Sequence, residues 1–179
     1  MNKMNIRQLT MTGLMTALVL VGTMLIQVPT PTKGYIHIGD SMVYLSGILL
    51  GPVLGSIAAA IGSLFADVFS SYFIYAPATF VIKGLDALIV GYIYHKIVKE
   101  NDGVSKKLVA FSFSVIVGSV VMVGGYLLFE SILYGFKGAV VGIVGNITQG
   151  IGGGILAAPL MIALDKVKFF QKLKIHYNK

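Results

Sequence analysis

Long apolar runs, recurring with only short polar breaks between them, constrain this chain more than any single motif. A membrane-spanning helix needs about 20 predominantly apolar residues, and stretches of about that length or longer occur over 9–28, 53–70, 78–98, 108–133 and 139–164. Only 12% of the residues are charged and 56% are hydrophobic, whereas a soluble domain carries about 25% charged residues. The polar side chains are too few to cover a water-facing surface, so lipid is the expected solvent. At 179 residues the chain accommodates about five or six spans, one domain over 1–179, and no separate soluble catalytic domain.

Other features narrow the class further. Cysteine is absent, which removes disulfides, thiolate metal sites and cysteine nucleophiles. The formal charge of +7 resides in short flanks between apolar runs, so membrane topology accounts for it and a nucleic-acid partner is not expected. The apolar run after MNKMNIRQLT is about 20 residues long and leads to PTPTKG, not to a small-residue cleavage site, so it reads as a retained helix.

Punctuation sets the helices. Pro29 and Pro31 end the first, because proline lacks an amide donor and restricts the residue before it. PTPTKGYIHIG reads as a loop, and Asp40 is a candidate N-cap for a short second helix over 41–50. Gly51-Pro52 is a turn signal, SYFIYAP an aromatic loop and KENDGVSKK a polar one. Gly124-Gly125 marks a possible break in the fifth helix. About ten residues rise only about 15 Å, so the second helix must tilt, start deep in the bilayer, or be extended by the preceding loop. Irregular backbone at that depth requires surrounding protein or a water-reached cavity. The expected fold is therefore all-α: a six-transmembrane-helix bundle with a short second helix.

With six passes and a cytoplasmic N-terminus, the inside segments hold Lys3, Arg7, Lys96, Lys99, Lys106, Lys107, Lys166, Lys168, Lys172, Lys174 and Lys179, and the outside loops only Lys33 and Lys137. This is the asymmetry of the positive-inside rule, and both termini are expected in the cytoplasm.

On that topology the intramembrane polar residues gather toward the outer half. Asp40 opens helix two, Asp67 and Glu130 lie near the outer ends of helices three and five, and Lys83 is about 9 Å deep in helix four. Asn146 and Gln149 sit about 8 to 11 residues into helix six. Ionised groups in hydrocarbon cost several kcal/mol unless paired or facing water or ligand, so one shared cavity explains them together. Each also has a structural reading. Asp40 could be only a cap, Lys83 could pair with Asp86 at i, i+3, and Asn146 with Gln149 could be interhelical glue. Tyr35, Tyr72 and Tyr75 fall near outer loops, as an aromatic belt or as walls for a flat ligand. Tyr126 precedes Glu130 by about one turn, and His37 is a loop residue suited to a lid contact. The remaining histidines, His95 and His176, lie in inner flanks, so no metal site is expected.

These residues also carry a resemblance. PTPTKGYIHIGDSMVYLSGILLGPVLGSIAAAIGSLFADVFSSYFIYAPATFVIKGL looks like the signature region of the S components of energy-coupling-factor transporters, nearest the riboflavin-transporter-like group. The elements are His37-Ile38-Gly39-Asp40, Leu50-Gly51-Pro52, Ala66-Asp67, Ala76-Pro77 and Lys83-Gly84. The resemblance implies a bacterial plasma-membrane protein with an extracytoplasmic vitamin site, a transmembrane coupling subunit and two cytoplasmic ATPase subunits as partners. It also implies a small-xxx-small contact with the coupling subunit, held here by Gly13 and Ala17. The chain has no P-loop of its own, since GNITQGIGGG lacks the required Lys.

The resulting expectation is substrate capture, not catalysis and without a cofactor. Tyr35, His37, Asp40, Asp67, Tyr72, Tyr75, Lys83, Tyr126, Glu130, Asn146 and Gln149 would surround a small ring-containing vitamin or precursor. A pyridoxine-, pyridoxamine- or hydroxymethylpyrimidine-type ligand is preferred over riboflavin. An intramembrane enzyme would need a nucleophile–base pair or metal ligands at depth. A stand-alone facilitator would place polar residues through the whole membrane depth.

Overall fold

The computed structural model describes residues 6–99 and 101–167. Lys3, Lys168, Lys172, Lys174, His176 and Lys179 lie outside the described residues. Among the described residues six helices follow one another: α1 (Ile6–Leu25), α2 (Asp40–Leu50), α3 (Pro52–Phe69), α4 (Ala76–Ile97), α5 (Val104–Tyr134) and α6 (Phe136–Asp165). All but α2 are long and apolar enough to cross a membrane. The protein is an all-α polytopic membrane protein.

The segment read as a loop after α1 contains a small antiparallel hairpin. Strand β1 (Gln27–Pro29) pairs with β2 (Tyr35–His37), Val28 opposite Ile36. Its turn places Lys33 at φ 58° and is closed by the Thr30 amide bonding the Gly34 carbonyl at 2.9 Å. Three-residue strands are too short for their alternation to stand out in sequence.

The hairpin leads the chain down from the end of α1, so α2 begins inside the bundle. Of its 11 residues all but Met42 are buried, which explains how so short a helix survives: protein, not lipid, surrounds it. It packs against α1, α3, α4 and α6. Against α4 the approach is backbone to backbone, for a Cβ at Gly91 would lie 2.6 Å from the Gly47 carbonyl oxygen. Small residues permit that proximity, as elsewhere in membrane bundles.

Two glycines make the tight reversals. Gly51, at φ 81°, joins α2 to α3 and Gly135, at φ 75°, joins α5 to α6 with a single residue. Gly124-Gly125 does not break α5, which runs unbroken through both; Gly125 instead gives room for Ile82 of α4.

The antiparallel helices give the bundle two unlike ends. At the hairpin end lie Lys33 and Lys137. At the opposite end lie Arg7, Lys96, Lys99, Lys106, Lys107 and Lys166, which belong to the start of α1, the end of α4 and its loop, the start of α5 and the end of α6. The ion pairs Lys107–Asp165 at 2.6 Å and Lys106–Asp102 at 2.9 Å tie that end together. The Asp102 carboxyl is held below its ordinary range, chiefly by the Lys99 backbone amide and then by Lys106.

Candidate substrate-binding site

At the hairpin end a cavity of about 30 Å³ lies between β2, α3, α4, α5 and α6. Each wall is positioned by a local feature of the sequence. Tyr35 and His37 alternate along β2, so both side chains leave the same face of the strand. Tyr35 donates to Asp67 Oδ1 of α3 at 2.6 Å, and its ring lies 4.5 Å from Tyr72 and 5.4 Å from His37. Burial, then the adjacent Asp67 carboxyl, pushes the Tyr35 hydroxyl above its ordinary value.

Tyr75 stands immediately before α4 and closes the cavity from the other side. Its hydroxyl lies 2.5 Å from the Thr32 carbonyl in the hairpin and 3.2 Å from Glu130 Oε1 of α5. One hydroxyl carries one proton, and the shorter contact takes it. Glu130 thus shares that hydroxyl with a backbone carbonyl, and its Oε2 has no hydrogen-bond partner. Asp67 Oδ2 likewise has none. Both side chains are almost fully buried, at 3% and 4% exposure. Thr79, one turn into α4, shares a 3.1 Å hydrogen bond with Tyr126 of α5. Asn146 and Gln149, three apart on α6, both line the cavity.

Beneath the cavity is a second polar layer. Lys83 forms an ion pair with Asp40 of α2, both fully buried, and it also contacts Met122 Sδ at 2.7 Å. Asp40 Oδ2 accepts from Gln149 Nε2 at 3.0 Å, and Gln149 Oε1 accepts the His37 backbone amide at 3.0 Å. A continuous path thus runs from Lys83 through Asp40 and Gln149 to the hairpin strand. The His37 ring accepts from the Gly39 amide at 3.0 Å, and burial lowers its pKa to about 4, so it is neutral at physiological pH.

Of the residues expected around one cavity, Tyr35, His37, Asp67, Tyr75, Tyr126, Glu130, Asn146 and Gln149 line it; Asp40, Lys83 and Tyr72 do not. Asp40 is not a cap either. It makes no side-chain capping bond, and its carboxylate turns inward to Lys83. The i, i+3 pairing of Lys83 with Asp86 does not form: Asp86 is fully buried, its two oxygens have no hydrogen-bond partner, and Gly118 of α5 packs over it. Tyr72 sits behind Tyr35. Thr30, Thr32 and Thr79 also line the cavity and were not anticipated. Thr79 lies one turn before Lys83 on α4, and that spacing is its one signal in the sequence.

A larger hollow, of about 580 Å³, lies between α5 and α6. Its rim is lipid-facing, with Ile116, Val120, Ile151 and Ile155 all at least 59% exposed, and its walls lack the convergent polar groups of a ligand site. On α1, Gly13 and Ala17 lie on an exposed face beside Leu14 and Leu18, and a Cβ at Gly13 would meet nothing within 4 Å.

A helical membrane bundle that encloses one compact polar cavity under a hairpin is a membrane-embedded solute-binding protein. The chain belongs to the family of ECF-type riboflavin transporter S components, whose model matches residues 3–166. Such subunits are the substrate-binding membrane components of vitamin transporters, not enzymes, and work with ECF membrane and ATPase modules. A Pyrococcus woesei protein described as uncharacterized, in a gap 3′ region, is 36% identical over 149 residues, covering 83% of this chain and 95% of its own. The thiamine precursor transporter HmpT of Lactococcus lactis is 24% identical over 168 residues, 93% of this chain and 92% of its own. A solved S component of a bacterial ECF transporter shares the fold, with a TM-score of 0.66 at 21% identity, over 88% of this chain and 95% of that one.

Proposed function

We propose that this chain captures a small, single-ring vitamin or vitamin precursor from outside the cell, for ATP-driven uptake by a coupling subunit and two ATPases. One observation carries the reading: the hooded polar cavity, lined by aromatic rings and by carboxyl and amide groups, at one end of an otherwise apolar bundle. The six described cations at the opposite end support an orientation with that cavity outside and both termini in the cytoplasm.

Size bears on the ligand. A cavity of about 30 Å³ holds about one or two waters, so any ring requires the hairpin to lift or the tyrosines to swing. A one-ring pyridine or pyrimidine compound asks for less displacement than a fused three-ring flavin. HmpT, named for a thiamine precursor, is similar over 92% of its length. Riboflavin is the second reading, favoured by the family whose model the chain matches.

The exposed Gly13 and Ala17 face of α1 suits close approach of a partner helix, and we assign the coupling subunit to it. The test is uptake of labelled pyridoxamine, hydroxymethylpyrimidine and riboflavin by cells carrying this chain with its ECF module. Uptake of a one-ring compound that disappears when the ATPases are inactivated is the expected result. Uptake that persists would return the facilitator reading, and uptake of riboflavin alone would reverse the ligand preference.

A further inference from the structure

Among the described residues, the carboxyl groups on the cavity wall, Asp67 and Glu130, have no cationic side chain beside them in the lining. The cation nearest in the fold, Lys83, is fully buried in its pair with Asp40 and is not part of the wall. His37 is neutral in this setting. Each carboxyl also keeps one buried oxygen without a hydrogen-bond partner. Leaving a buried acceptor unmet is costly, the more so when charged, whereas a charge-assisted hydrogen bond is about twice as strong as a neutral one.

Resting on the reading of a one-ring ligand, we infer that Asp67 and Glu130 make this site selective for ligands bearing an amine, and exclude phosphorylated or carboxylated forms of the same ring. An ammonium or amino-heterocycle group supplies the donors that the two free oxygens lack. A phosphate would bring further negative charge to a wall with no cation to meet it, at close range and away from solvent. Among the described residues no three His, Cys, Asp or Glu side chains converge as metal ligands, which favours an organic amine over a metal ion as the positive partner.

The experiment is titration calorimetry on the purified full chain in nanodiscs at pH 7, with three compounds sharing one ring: pyridoxamine, pyridoxine and pyridoxamine 5′-phosphate, and riboflavin beside them. The expected result is that pyridoxamine binds about tenfold to a hundredfold tighter than pyridoxine, and that the phosphate ester does not bind. In Asp67→Asn and Glu130→Gln, each the same shape without the charge, the ratio of pyridoxamine to pyridoxine affinity should fall toward one, and a ratio as large as in the unaltered protein overturns the inference. The comparison among ligands in the unaltered protein needs no variant, so a folding defect in either substitution leaves the inference testable. Equal affinity for amine and alcohol, or binding of the phosphate ester as tight as its parent, overturns the charge selection while leaving vitamin capture standing. Binding of riboflavin alone overturns the one-ring reading and this inference with it, and binding of none of the four overturns the amine selection argued from this ring.

Discussion

Lys83 of α4 and Asp40 of α2, 43 residues apart, form a fully buried ion pair at the point where the hairpin hands the chain to the short central helix. The pair holds Gln149, and Gln149 holds the backbone of the hairpin strand at His37. Breaking a buried pair by removing one partner costs about 3–5 kcal/mol, because the other charge is left unmatched. Lys83→Met should therefore lower the midpoint of thermal unfolding in detergent markedly. The double variant Asp40→Asn with Lys83→Met should recover part of the loss, since no charge is then stranded. A single variant as stable as the parent would show that the pair is structurally idle.

Tyr75 is the latch between the hairpin and the helices. Removing its hydroxyl in Tyr75→Phe deletes the bond to the Thr32 carbonyl, worth about 1 kcal/mol net, and frees the hairpin to open more often. Because the chain has no cysteine, spin labels at Lys33→Cys and Ile74→Cys report the gap between hairpin and loop without background. The label distance should broaden toward longer values in Tyr75→Phe. An unchanged distribution would mean that other contacts hold the lid.

His37 gives the hairpin a pH dependence of known sign. Its folded-state pKa is about 4 against an ordinary 6.5, lowered mainly by burial, with Lys83 adding to the effect and Asp40 opposing it; the Tyr35 ring lies beside it. Between those values the unfolded chain binds a proton that the folded one does not. The stability due to the neutral ring is thus present above about pH 6.5 and lost as pH falls toward 4, by about 1–3 kcal/mol. Unfolding temperature should drop over that window in the parent and drop less in His37→Asn. Parallel curves for the two proteins would rule His37 out as the source.

Gly13 separates folding from partnership. A side chain there meets nothing within 4 Å in this protein, so Gly13→Leu should leave unfolding temperature and ligand affinity as they are. If α1 docks a coupling helix through this face, the added bulk should cut ATP-dependent uptake by about tenfold or more while binding persists. Full uptake by Gly13→Leu would move the partner surface elsewhere.

Particular residues show what could be read early. Asp67, Glu130, Asn146 and Gln149 were legible because an ionisable or amide group inside an apolar run has few reasons to be there, and their depths agreed. The turn at Gly51-Pro52 was equally plain, whereas α1 ends at Leu25, short of Pro29, which closes strand β1 instead. Lys83 was visible as a polar residue at depth, but not its partner: Asp86 is nearer in sequence, whereas Asp40 is nearer in space because Gly47 and Gly91 let α2 and α4 touch. The threonines of the hairpin and Thr79 carried no signal, since a hydroxyl in a loop or helix costs little wherever it points.

Periodic hydrophobicity and the cost of charge in lipid act on each segment alone, and so the amino-acid order by itself determined the long apolar helices and the end at which polar groups collect. Which of those groups would face the cavity and which would neutralise each other beneath it depends on helix crossings between distant segments. Those crossings are set by side-chain volumes meeting across the bundle, and only the folded chain decided them.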